Sequence, residues 1–417
     1  ASAIFMAARG TVTVDTSQGA VNASGMQFAA NGYIITGGAI GLTGAQSVIR
    51  VGDGTTLGAG FTATIASNLT GAGDLVKTDL GTLVLTGASS VVGEAIVKTG
   101  GLRLADGGTF TSLNTFTGGD TGEQAVLTVT GSNGGGGAST WTTGGLTVGS
   151  SGNGTLNVTQ GGRVVSASGV IGSDAGGIGA ALITGTDSAW QNSGRITVGL
   201  FGTGTLRIEN GAQVSSNDGI VGGSAQGDAV ITGPGSSWTN TAQLNVGSFG
   251  AGTMRIENGA TVTSNQGYVG ANADGSATVA GTGSNWLVSN FSLTVGNQGN
   301  GALTIENGGR VQALGGVSLG MAGGINGTLT LQGTPANRAV LETSRIAAGL
   351  GTVNVTLDGG LLRATQNISD FFDDFGARDV TLGANGGVID TNGHNIGIAP
   401  RFVGARGLSK DGAGPLT

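Results

Sequence analysis

Cysteine is absent from the 417-residue chain, so no disulfide can staple it, and neither thiol chemistry nor a cysteine-ligated metal is open to it. Histidine occurs once and proline four times, and aromatic residues make up 4% of the chain. Lysine and arginine number 17 against 24 acids, giving a formal net charge of -7 and a pI near 4.6. Phosphate backbones are gripped by clustered cations, so this balance speaks against nucleic acid as a partner. No apolar run reaches the length at which a helix crosses a membrane. The opening ASAIFMAARG lacks a charged region followed by an apolar one, so an export signal is expected to be removed or to lie outside this sequence. Helical periodicity is scarce as well. DFFDDF at 370–375 is the one stretch expected to form so much as a turn.

Glycine is abundant, with 88 residues, but without a strict G-X-Y period or the matching proline, which excludes collagen. Few aromatics and much Gly, Ser and Thr would suit a disordered chain. Against that, Val, Ile, Leu and Ala alternate with polar residues, the period of a half-buried strand.

The chain also repeats itself. GTMRIENGATVTSNQGYVGA at 252–271 is nearly GTLRIENGAQVSSNDGIVGG at 204–223 and is echoed by GALTIENGGRVQALGGVSLG at 301–320. The four tryptophans, Trp141, Trp190, Trp238 and Trp286, are spaced by 49, 48 and 48 residues, and Glu209, Glu257 and Glu306 of the Glu-Asn-Gly motif by 48 and 49. Two markers sharing a period point to a repeat array. Gly199, Gly222 and Gly247, 23 and 25 residues apart, divide a repeat into two coils of about 24, each reading as three short strands. That is the arithmetic of a parallel β-helix. A propeller blade has a similar repeat length but carries longer strands and aromatic signatures. With coils about 4.8 Å apart, the chain is expected to stack into a rod of roughly 80 Å. Leu206, Ile208, Met254 and Ile256 are expected inside, with Thr205, Arg207 and Glu209 outside. Ala181, Ala229 and Ala277 suit a narrow core. Asn210-Gly211, Asn258-Gly259 and Asn307-Gly308 are expected to turn one corner of successive units, because Gly and Asn take positive φ at least cost.

DLVKTDLGTLVLTGASSVVGEAIVKTGGLRLA at 74–105 resembles the passenger-associated transport repeat of bacterial autotransporters, and GLSKDGAGPLT at 407–417 looks like the opening of another copy. Asp79 and Leu80 stand where the motif prefers Gly and Ala, and Pro415 where Thr is usual. The segment 362–399 is similar to what precedes that repeat in many passengers. The resemblance implies an all-β, right-handed parallel β-helix, displayed on the surface of a Gram-negative bacterium and anchored in the outer membrane through a C-terminal β-barrel that lies outside this sequence. The chain reads as one passenger domain: N-terminal coils at 1–124, the Trp-marked array at 125–366, and C-terminal coils at 367–417.

Candidate chemistry is sparse. His394 in DTNGHNIG, with Asp390 and Asn392 nearby, reads as a corner residue, and no Gly-Asp-Ser-Gly motif accompanies it. Asp370, Asp373, Asp374 and Asp379 cluster around Arg378 beside Phe371 and Phe372, which are taken as exposed. This group would suit Ca2+ or a sugar, but reads better as a surface turn packing its Phe residues inward. GGSAQGDAV at 222–230 and GANADGSA at 270–277 resemble a calcium roll in composition only, without its nine-residue repetition. The Gly-x-Gly strings lack the following helix of a dinucleotide site. The tryptophans, as a column, would suit sugar stacking but are expected to pack inside. No catalytic, metal or cofactor residue is therefore expected. Arg207, Glu209, Arg255 and Glu257 form the most regular outward polar stripe and are the candidate receptor-binding residues.

These readings lead to a non-enzymatic adhesin or self-association factor acting through repeated faces. Its partner would be a host-cell or matrix component, a glycan, or another copy of the chain. The alternatives are a β-helical polysaccharide lyase or glycosidase, and a passive spacer carrying a tip that lies elsewhere.

Overall fold

The computed structural model describes residues 2–131, 137–404 and 406–417. Two compact units are present, Ala1–Leu206 with Gly211–Val214, and Arg207–Asn210 with Ser215–Thr417. Each is a parallel β-solenoid built from three ladders of strands, in which a strand pairs with its equivalents one coil before and one coil after.

In the second unit the first ladder stacks Gly227–Thr232, Gly252–Glu257, Gly275–Ala280, Gly301–Glu306, Asn326–Gln332 and Thr352–Asp358. The second ladder stacks Ser237–Asn240, Thr261–Ser264, Asn285–Val288, Arg310–Ala313, Val340–Thr343 and Gly360–Ala364. The third runs from Gln243–Val246 through Gln266–Val269, Leu293–Val295 and Val317–Leu319 to Ile346–Ala348. Parallel pairing between strands a coil apart excludes a propeller, whose blades are antiparallel.

The register explains the alternation in the sequence. Ile231, Ile256, Val279, Ile305 and Leu331 stack in one inward column of the first ladder, and all are fully buried. The neighbouring column runs Ala229, Met254, Ala277, Leu303, so each small residue lies beside a large one, and interdigitation fills a narrow core. In the first unit the equivalent column stacks four leucines, Leu83, Leu102, Leu127 and Leu156, before Ala181. Leu206, Ile208, Met254, Ile256, Ala181, Ala229 and Ala277 are all buried, as their positions in the alternation require.

Corners lie where Asn-Gly pairs predict them. Asn210, Asn258 and Asn307 have φ of 56°, 56° and 51°, and the glycines after them 85°, 85° and 84°. A β-branched residue would be strained there.

Several expectations are corrected. DFFDDF forms no helical turn: Phe372–Asp373 is a short strand paired with Ile346–Ala347 in the third ladder. The one helical element among the described residues is a 3-10 turn at Thr56–Gly60, where the Thr55 hydroxyl caps the Leu57 N–H. Strands are not uniformly short. Thr109–Thr117, Thr140–Val148 and Arg163–Ile171 each run nine residues and join the second and third ladders through a corner without a break.

Asp79, in the 74–105 segment, adopts φ 68°, a backbone conformation that favours glycine. Arg50 donates to its carboxylate at 2.8 Å. Two residues earlier, Lys77 is buried and its Nζ donates to the carbonyls of Thr78, Asp79 and Thr99 at 2.8–3.0 Å. Burial pushes this ammonium down to about 8, and the charge of Asp79 opposes the fall.

Candidate functional site

The tryptophans occupy the inside of the solenoid wall. All four are fully buried, and each indole N–H donates to a hydroxyl of the preceding coil. Trp141 reaches Thr115 Oγ1 at 2.9 Å, Trp190 reaches Ser166 Oγ at 2.9 Å, Trp238 reaches Ser216 Oγ at 3.1 Å, and Trp286 reaches Ser264 Oγ at 3.2 Å. Ser166 and Ser216 are also held at 2.7 Å by Asn192 and Asn240, each two residues beyond its tryptophan. A buried indole without a partner would carry an unmet donor, so the hydroxyl is part of the slot.

A glycine makes room for the ring. A Cβ on Gly169, Gly219 or Gly267 would lie 2.5, 2.8 or 2.9 Å from Cζ2 of Trp190, Trp238 or Trp286. The signal for this lock is in the sequence, since Ser166, Ser216 and Ser264 each precede a glycine by three residues and a tryptophan by 22 to 24. It needs the coil register to be read. The column presents no aromatic surface to sugars.

The Arg-Glu stripe does face outward. Arg207 pairs with Glu209 at 2.5 Å and Arg255 with Glu257 at 3.1 Å, each pair along one strand of the first ladder. Both arginines are about half exposed, so these contacts are screened by solvent and add little stability. The stripe does not continue as arginine. In register beyond Arg255 stand Thr278, Thr304, Thr330, Thr356 and Thr381, one per coil. Their side-chain hydroxyls make no hydrogen bond among the described residues and face outward as a column. This threonine column escaped the sequence reading because its members are more than twenty residues apart and individually unremarkable.

Two acids of the cluster, Asp373 and Asp379, are held by separate arginines. Arg345 holds Asp373 at 2.8 Å, and Arg401 grips Asp379 through two contacts of 2.9 and 2.8 Å, which keeps that carboxyl below the usual aspartate range. Arg378, expected among the acids, instead donates to the backbone carbonyls of Asp374, Phe375, Gly349 and Gly351. Phe371 and Phe372 pack inward, as the surface-turn reading expects: both are fully buried, and Phe372 meets Phe371, Phe375 and Phe402 edge to face. Aromatic burial is the stronger demand on this turn, so its acids are left to the rim. Among the described residues no group of three or more His, Asp or Glu side chains is placed to hold a metal ion.

Asn392 and Gly393, with φ of 50° and 83°, turn the corner ahead of His394. The neighbouring Asp390 directs its carboxylate to Arg363 Nε at 2.7 Å and to the Asn392 N–H at 2.8 Å. His394 and Asp390 are thus not assembled as a catalytic pair. The aspartates of the two glycine-rich segments are likewise engaged. Asp228 accepts from Gln226 and Thr253, and Asp274 from Asn300.

One feature of the C-terminal coils had no signal in local sequence. Gln312, Glu342, Arg363 and Asp390 stand in register on the outer side of the second ladder. Glu342 accepts from Arg310 at 2.5 Å and Arg363 at 2.9 Å, and Arg363 reaches on to Asp390 at 2.7 Å. Burial alone would raise the Glu342 carboxyl, but hydrogen bonds from Arg310 and Arg363 outweigh it and hold the group below its ordinary range.

A parallel β-solenoid with regular outward columns defines a solenoid repeat protein. No family model matches the chain, and no solved structure matches it. Among curated proteins, it is 60% identical over 67 residues to the Adhesin BmaC autotransporter of Brucella suis biovar 1 (strain 1330). That match covers 16% of this chain, which spans about 2% of the length of the relative. The fold and this match together fit an autotransporter passenger domain.

Proposed function

We propose that the chain is the displayed part of an autotransporter, held at the surface of a Gram-negative cell by a C-terminal barrel. In this reading it works as an adhesin or self-association factor. The observation that carries this reading is the repetition of equivalent outward positions coil after coil on the first ladder, from Arg255 and Glu257 through the threonine column. Each contact is weak, but many identical ones on one molecule raise avidity without any tight site. The partner is a host-cell or matrix component, a glycan, or another copy of the chain. The pairing of Asp373, Asp379, Glu342 and Asp390 with arginines supports a non-enzymatic role, because a lyase or glycosidase needs convergent acids and a base free to act.

Removing one and then two 48-residue repeats from the array at 125–366, with display matched on the cell surface, tests the proposal. A distributed adhesin loses binding per molecule in steps. Unchanged binding would mean a spacer, and cleavage of a surface polysaccharide by the purified chain would mean an enzyme.

A further inference from the structure

In the first unit the outer side of the first ladder is not flat. A groove of about 870 Å3 lies across Thr62–Ile65, Thr82–Leu85, Gly100–Leu104 and Gln124–Thr130. With strands about 4.8 Å apart, four rungs give it a run of roughly 14 Å. Its floor is low because Gly101 stands in register between Thr82 and Val126, where neighbouring coils carry side chains.

The lining has one charge. Arg103, in register between Val84 and Thr128, is exposed and makes no ion pair or side-chain hydrogen bond among the described residues. This sets it apart from Arg50, Arg207, Arg255, Arg310, Arg363 and Arg401, each of which holds a carboxylate. No acid lines the groove, in a chain whose net charge is -7. Around Arg103 the side chains of Thr82, Thr128 and Gln124 are also without partners among the described residues. Thr130 donates to Gln160 Oε1 at 2.9 Å, leaving that amide's nitrogen to donate outward. Val84 and Val126 supply apolar patches between these polar groups.

A guanidinium with nothing to hold, hydroxyls and amides on both sides, and aliphatic patches two rungs apart suit a ligand that is anionic, extended and rich in hydroxyls. We propose that this groove binds a short stretch of acidic polysaccharide, with Arg103 on a sugar carboxylate or sulfate and the threonines and glutamines on ring hydroxyls. The site deepens the adhesive reading by giving it a ligand class, and rests on that reading for its biological meaning. The binding itself is measured without cells.

The test is calorimetric titration of the full chain with a heparin-derived hexasaccharide and a hyaluronan hexasaccharide, with maltohexaose and hexaglutamate alongside. Binding of either acidic sugar, and neither control, is expected. Sulfate or carboxylate preference then follows from which sugar binds. Arg103→Gln is expected to weaken binding about tenfold or more, as loss of a charged hydrogen bond does. Thr128→Trp is expected to abolish it by filling the groove, and Arg401→Gln, at an exposed arginine of the C-terminal coils, to leave it unchanged. Unaltered circular dichroism shows that the variants fold. Failure of both acidic sugars to bind, equal binding of maltohexaose or hexaglutamate, or full affinity in Arg103→Gln would overturn the proposal. Stepwise loss of cell adhesion on repeat removal with no sugar binding sinks the groove alone. Sugar binding with adhesion indifferent to repeat removal sinks the distributed adhesin alone.

Discussion

Within the second unit, the coils that carry Trp238 and Trp286 and the coils from Val340 onward solve the same problem by different means. In the tryptophan coils the special contacts are inward and neutral. Indoles fill slots left by Gly219 and Gly267 and donate to Ser216 and Ser264. In the later coils the inward ladder positions are plain, with Leu341, Leu362 and Ile389 in register. There the special contacts are the outer column Glu342, Arg363, Asp390 and the phenylalanine cluster of the 370–375 turn. A parallel ladder sets equivalent residues directly against each other. In the later coils that register aligns a cation with two anions, whereas in the tryptophan coils the stacking of one coil on the next sets a ring of the second ladder against a glycine of the third.

The sharpest way to break this comparison is Trp286→Ala. It leaves a large buried void and an unused serine hydroxyl, and should cost about 3–5 kcal/mol. Hydrogen exchange read coil by coil is the suitable measurement, since a long repeat array need not unfold as one cooperative unit. Loss of protection is expected in the coils around Ser264 and Trp286 and not in those beyond Val340. Next in size is Gly267→Ala, whose Cβ would meet Leu293 and the Trp286 ring at 2.8 and 2.9 Å, for a cost of about 1–3 kcal/mol. If the protein tolerates alanine there, the idea that glycine is present to admit the ring fails.

Glu342→Gln addresses the other region. Its two arginine partners are partly exposed and can rehydrate, so about 1–2 kcal/mol is expected, confined to the C-terminal coils. The wild-type chain should show the matching pH dependence. Because the folded Glu342 carboxyl lies below its unfolded value, its contribution is fully present above the ordinary glutamate range. It is lost as the pH falls through the depressed folded value. Protection factors in the 340–364 strands, taken relative to the intrinsic exchange rate at each pH, should therefore fall in acid, and Glu342→Gln should flatten that response, while the Trp286 coil responds less. Smallest of all, Arg255→Ala should change stability by under about 0.5 kcal/mol, since its ion pair is half exposed. A larger loss would give the outward stripe a structural role in addition to any binding one.

Much of the architecture was legible because it is written locally and repeatedly. Alternation placed Leu206, Ile208, Met254 and Ile256 inside, and Asn-Gly pairs marked corners that do adopt positive φ. The match to an autotransporter adhesin agrees with the family resemblance of the 74–105 segment and the repeat array. The candidate stripe was legible as ion pairs because Arg255 and Glu257 are two residues apart. Its continuation as threonine was not, and neither was the charge column of Glu342, Arg363 and Asp390, whose members lie more than twenty residues apart. Phe371 and Phe372 were expected to pack inward and do, but Phe402, the ring that Phe372 meets from the next coil, is thirty residues away and had no local signal.

By itself, then, the sequence determined the periods: two for the strand, about 24 for the coil, and 48 for the repeat. With them came the parallel class of the fold, because short-range alternation and turn chemistry act within a few residues. The tertiary structure decided which residues a coil apart stand face to face. Coil lengths vary along the chain, and a shift of one residue in register would exchange inside for outside. That alignment turned a serine and a glycine into a tryptophan slot, three scattered charges into one column, and a missing side chain at Gly101 into a groove beside Arg103.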